Sequence, residues 1–92
     1  MSTDVSKVLD ERGSRYGKFI GHANVTQDLK LVIKLALEER DKILHADQQE
    51  ALDMICHKIG RIVNGDPLYA DSWIDIAGYA KLVADRLEGI ER

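Results

Sequence analysis

The sequence predicts an all-α fold, a small bundle of about four helices completed by oligomerisation, and three observations carry that expectation. Apolar residues recur at i, i+3 and i+4 through most of the chain, the spacing of a helix face. The single proline, Pro67, and most of the seven glycines fall between these periodic stretches rather than inside them. At 92 residues the chain makes one domain, too short to bury a large core by itself, so self-association is a natural way to complete it. Residues 1–22 hold an N-terminal helix and a glycine-rich loop, and residues 23–90 the helical core.

Each element follows from its own residues. The first helix is expected over Asp4 to Arg12, with Val5, Val8 and Leu9 at helical spacing and Gly13 as its breaker. Gly13, Gly17 and Gly21 lie within nine residues, which reads as a loop. A second helix runs from Asn24 or Val25 to Leu44. Its centre, Leu29 to Leu37, is apolar around most of its circumference; Val32 and Ile33 admit a strand, but the length and the flanking helix formers favour helix. The third begins at Asp47, where Asp47 and Glu50 have the spacing of a capping box; Leu52, Ile55, Cys56, Ile59, Ile62 and Val63 form its stripe, and Asn64-Gly65 ends it. The fourth starts at Asp71 or Ser72 with Trp73, Ile76, Ala77, Ala80, Val83, Ala84 and Leu87 on one side. Gly78 within it costs about 1 kcal/mol relative to Ala, which points to a close helix contact or to backbone exposed to a ligand.

Composition narrows the function. Thirteen Lys and Arg against sixteen Asp and Glu leave a net charge of -3, so binding to duplex nucleic acid by bulk charge is not expected. The lone Cys56 cannot form an intrachain disulfide and reads, between Ile55 and Ile59, as a small buried hydrophobe in a reducing compartment. No apolar run approaches the roughly 20 residues of a membrane span, and Met1-Ser2-Thr3-Asp4 lacks the features of a signal peptide. The expected location is the cytoplasm, that of the host if the chain is phage-encoded.

With the apolar stripes assigned, the other faces of the third and fourth helices present carboxylates. Glu50 and Asp53 are three apart on one face, continued by His57 and Arg61; Asp71 and Asp75 are four apart on another. Four such acids brought together would repel unless a hard cation, Mg²⁺ or Mn²⁺, sat among them, bridging to a phosphate chain. Lys58 and Arg61 would steady the phosphate oxygens, and a metal-bound water would attack phosphorus. Each residue also has an ordinary reading: Glu50 and Asp71 as helix caps, Asp53 and Asp75 as solvated acids, Lys58 and Arg61 as partners of the helix dipole, Trp73 and Tyr79 as core.

Three segments, Glu50-Ala51-Leu52-Asp53, Lys58-Ile59-Gly60-Arg61 and the run from Asp71 to Ala80, resemble the core of the MazG-like, all-α nucleoside triphosphate pyrophosphatases. They are more similar still to small phage and prophage domains of unknown function related to that superfamily. The resemblance covers Asp47 to Leu87. It implies a Mg²⁺-dependent protein that hydrolyses a nucleoside triphosphate to monophosphate and pyrophosphate, with Glu50, Asp53 and Asp75 catalytic and Asp71 completing the metal set. The early segment Glu11 to Gly17 also looks like the start of these phage domains, which implies that its arginines, Arg12 and Arg15, and Tyr16 close over the nucleotide. Two departures stand out: the first motif ends in Asp rather than Glu, and Ser72 holds the place three before Asp75. They motivate two alternatives, a non-catalytic phage protein that binds and inhibits a host enzyme or defence complex, and a nucleotide binder without turnover.

Overall fold

The structure, a computed structural model, describes residues 2–92. It is a small all-α bundle of four helices with no strand among the described residues: α1 Ser2–Tyr16, α2 Phe19–Glu39, α3 Ala46–Asn64 and α4 Ala70–Leu87. No described helix is long and apolar enough to cross a membrane.

The boundaries correct the sequence reading at both ends of α2. The expected glycine-rich loop from Gly13 to Gly21 shrinks to Gly17 and Lys18, because only Gly17 takes a left-handed conformation, with φ 77°. Such a residue stops a helix at no steric cost only when it is glycine. Gly13 and Gly21 lie inside α1 and α2. The corner is then tied from a distance. Asn64 Nδ2 donates to the carbonyl of Tyr16 at 2.8 Å, an acceptor at the end of α1, and to that of Lys18, the N-cap of α2, at 2.9 Å. Asn64→Ala is therefore expected to lower stability by about 1–2 kcal/mol, read as an earlier urea midpoint with an unchanged slope.

At its other end α2 stops at Glu39, not Leu44. Asp41 adopts φ 51°, and the N–H groups of Asp41 and Lys42 donate to the carbonyls of Glu38 and Leu37, a Schellman closure with Asp in the place usually held by glycine. α3 begins one residue before Asp47. The backbone N–H of His45 donates to Gln48 Oε1 at 2.8 Å, so the box is built on His45 and Gln48 instead of Asp47 and Glu50. Asp47 is thereby released to pair with Arg86 of α4 through two carboxylate–guanidinium contacts, one of 2.7 Å from Nε. That pairing holds the Asp47 carboxyl below its ordinary range.

α3 is central, packing against α2 on one side and α4 on the other, while α2 and α4 do not meet. Among the described residues Ala51 and Cys56 are the buried hydrophobes; the other buried side chains are polar, His22, Thr26, Lys58, Ser72 and Asp85. Burial raises the Cys56 thiol, keeping it in the inert protonated form. Trp73, expected in the core, is 54% exposed and donates its Nε1 hydrogen to the Pro67 carbonyl. Gly78 makes no close helix contact; a Cβ there would meet open space.

Candidate functional site

The acidic residues are held apart within one chain. Glu50 is exposed beside Asp47 and Arg86 in one cavity, whereas Asp75 lines another with Ile74, Gly78 and Lys81. Asp53 accepts a hydrogen bond from Gln49 Nε2 at 3.0 Å, and Asp71 accepts one from the Tyr69 hydroxyl at 2.9 Å. The Asp71 contact also raises the Tyr69 phenol above its usual range. Among the described residues no group of three or more His, Cys, Asp or Glu side chains lies close enough to share a metal ion. Mg²⁺, which takes one or two carboxylates together with phosphate oxygens, would therefore be held in a single chain by fewer than the four acids expected from sequence.

Lys58 explains part of this. It stands two turns after buried Ala51 and so points, like Ala51, toward α4, where its ammonium lies 3.0 Å from Asp75 Oδ2. Its side chain is 11% exposed. Lys58 neutralises Asp75 at the helix interface and is not free to hold a phosphate.

The basic and aromatic residues, in contrast, converge. α1 crosses the C-terminal half of α3, which sets Arg61 over the Tyr16 ring, 4.2 Å from its centroid. Tyr16 meets Tyr69 edge to face at 6.1 Å, and Arg15 lies 4.6 Å over the Tyr69 ring. The result is an alternating row of guanidinium, ring, ring and guanidinium. Arg12 and Glu11 complete a cavity of about 320 Å³ around it. Cation–π contact orients each guanidinium without neutralising it, and none of Arg12, Arg15 and Arg61 has a carboxylate partner among the described residues.

Arg12, Tyr16 and Arg61 also line a second, more apolar cavity of about 520 Å³ that takes in Lys18, Phe19, His22 and His57. Here α2 and α3 approach closely enough for the two imidazoles to bond, His22 Nε2 to His57 Nδ1 at 3.2 Å, with the rings edge to face. His57 is pushed down to about 4, chiefly by burial and then by the charge of Arg61, and His22 is lowered for the same two leading reasons. His22 Nδ1 lies against the backbone at Gly60 without a hydrogen bond of normal geometry, and Thr26 Oγ1 is likewise buried without a partner among the described residues. The pair of neutral rings shares this cavity with three cations, Arg12, Lys18 and Arg61, and among the described residues no carboxylate lines it.

Of the residues singled out from sequence, Arg15, Tyr16 and Arg61 are brought together, with Asp71 at their edge through the Tyr69 hydroxyl; Lys58 with Asp75 forms a separate structural pair; Glu50 and Asp53 lie elsewhere. Arg12, like Arg15, belongs to the early segment singled out from sequence; His22, Tyr69 and Lys18 were not anticipated. The available signal was the i, i+4 pair His22 and Thr26 on α2, hidden because that helix was expected to begin between them, at Asn24 or Val25.

Comparison with known proteins finds no matching family model, no significantly similar curated protein and no significantly similar solved structure. The functional argument therefore rests on the cleft itself. A planar guanidinium presents paired donors that match a phosphate's oxygens, and an aromatic face accepts a base or sugar. The cleft offers both within one cavity system.

Proposed function

We propose that this chain is a nucleotide-binding protein that takes the phosphates of its ligand in the cleft between α1 and α3. The observation that supports the reading is the Arg61–Tyr16–Tyr69–Arg15 row, two guanidiniums held on ring faces with no carboxylate at salt-bridge distance among the described residues. Arg12 and Lys18 add positive charge at its edges. Arg15 and Arg61 take phosphate oxygens, and the Tyr16 and Phe19 side of the larger cavity accepts the base.

Mg²⁺ enters this reading as the counterion of the nucleotide. Hydrolysis to monophosphate and pyrophosphate, with Glu50, Asp53, Asp71 and Asp75 as metal ligands, is its catalytic extension and is tested separately, because the acids of one chain do not offer a set of three.

Calorimetric titration with nucleoside mono-, di- and triphosphates and with inorganic pyrophosphate, each with and without Mg²⁺ or Mn²⁺, tests the proposal. Affinity is expected to rise with phosphate number. Arg61→Ala is expected to weaken triphosphate binding by about 10- to 100-fold, the effect of one charge-assisted hydrogen-bond pair. Asp75→Ala should leave binding in place. Pyrophosphate release, assayed beside it, reports on the catalytic extension alone. Absence of binding to every phosphate tested overturns the reading.

A further inference from the structure

The chain exposes more surface than its mass accounts for. A compact monomer of 10.4 kDa exposes about 5,400 Å² by the scaling of folded proteins, whereas this chain exposes 6,874 Å². Large apolar side chains on all four helices are among the exposed groups, and part of the reason is architectural. Helices bury their apolar stripes by packing in at least two layers, but here α2, α3 and α4 lie side by side with α3 in the middle.

The phase of each helix shows where the stripes go. On α3, Gly60 and His57 face α2 while Ala51 and Lys58 face α4. Between those directions, on one side of the layer, lie Leu52, Ile55, Ile59 and Val63. Leu52 and Ile55 share an apolar groove of about 300 Å³ with Ala80 and Val83, so the α4 stripe that also carries Trp73 and Ile76 opens on the same side. On α2, a quarter turn from the contact made by Thr26, the stripe of Val25, Leu29, Val32 and Ala36 falls on this side too. None of these positions carries a charge. Val32 and Val63 are each 66% exposed and Trp73 is 54%. The opposite side of the layer carries Glu50, His57 and Arg61, and it is there that α1 crosses.

We infer that this apolar face is the interface with a second copy of the same chain, packed back to back across a two-fold axis. A face without charge needs no complementary partner and fits a copy of itself, as an isologous contact requires. The area agrees. The surplus of about 1,500 Å² bounds what each chain contributes, and about half of it, roughly 800 Å² a side, already makes an interface of standard size. The nucleotide cleft lies on the other side and stays open, so the dimer stands or falls independently of the proposed ligand.

Light scattering on the full chain is expected to give twice 10.4 kDa. Val63→Glu and Val32→Glu place a carboxylate in the buried centre and are expected to weaken the dimer about 100-fold or more. Ile74→Glu, an equally exposed apolar position beside Asp75 and Lys81 on the polar side, should leave it unchanged. Should the glutamate variants fail to fold, Val63→Cys provides a second measurement. Its alkylation is expected to slow as protein concentration rises, with buried Cys56 unreactive throughout. A monomeric wild-type chain at all concentrations overturns the inference. So does a dimer that tolerates both glutamates, or an alkylation rate independent of concentration.

Discussion

Gly60→Ala is expected to destabilise the fold by roughly 1–2 kcal/mol, although the same exchange in an open helix is stabilising. The two effects can be set against each other. Replacing a mid-helix glycine by alanine gains about 0.5–1 kcal/mol of helix propensity. At Gly60, however, a Cβ would stand 2.5 Å from Thr26 Oγ1 and 2.9 Å from His22 Nδ1. Neither atom is the far end of a flexible chain: Thr26 is β-branched and stiff at χ1, and His22 is held by its bond to His57. α2 must move outward, and overpacking of this kind costs typically 1–3 kcal/mol, which outweighs the propensity gain. Gly78→Ala supplies the opposite sign. It is also inside a helix but has nothing within 4 Å of the new methyl, so it should stabilise by about 0.5–1 kcal/mol. Urea unfolding of both variants checks the pair. Equal shifts in the same direction would show that helix propensity alone governs both positions and that α2 and α3 are not in close approach at Gly60.

The same glycine marks the boundary of what the sequence discloses. α3 was legible almost completely, because Asn64-Gly65 and the spacing from Leu52 to Val63 are local signals that the fold does not override. The α1–α2 corner was not. Gly13, Gly17 and Gly21 look alike in sequence, and which one turns the chain is settled by Asn64, more than forty residues away, bonding across the corner. The end of α2 was hidden for a related reason: Asp41 takes the left-handed position that a reader looks for in glycine. In the site, Arg15, Tyr16 and Arg61 were legible as a basic and aromatic set, since their chemistry does not depend on the exact course of α1. Lys58 was legible in principle. It lies two turns from Ala51, a position periodicity marks as inward, but its charge suggested an outward role, and the structure shows it neutralised by Asp75. The His22–His57 contact requires the register between two helices, which no single stretch of sequence records.

That register yields the second large effect. Stability is expected to fall as pH drops from about 6.5 toward about 4, the ordinary and the folded values for His57. Above 6.5 both histidines are neutral whether the chain is folded or not, and they contribute no slope. Below it the unfolded chain takes up protons at His22 and His57 while the folded chain does not, because burial and the neighbouring Arg61 oppose a further positive charge. The unfolded state is then favoured by up to about 1.4 kcal/mol per pH unit for each histidine, less where solvent reaches the ring. Asp47 and Asp85 act in a different window. Arg86 lowers the first, and Arg92 and Lys81 the second, so their stabilisation is complete above the ordinary carboxylate range and is lost only below it. The two contributions can therefore be separated by pH alone. Urea titrations across the range should show the upper slope flattened in His57→Gln and the lower one retained. Pyrophosphate in the cleft should act in the reverse sense, since an anion beside Arg61 offsets the charge that keeps His57 neutral. The imidazole should then titrate closer to 6.5, with proton uptake on binding at mildly acidic pH. A His57 signal in proton NMR that titrates at its ordinary value without any anion would remove the buried imidazole pair from the account, and with it the reason for the upper slope.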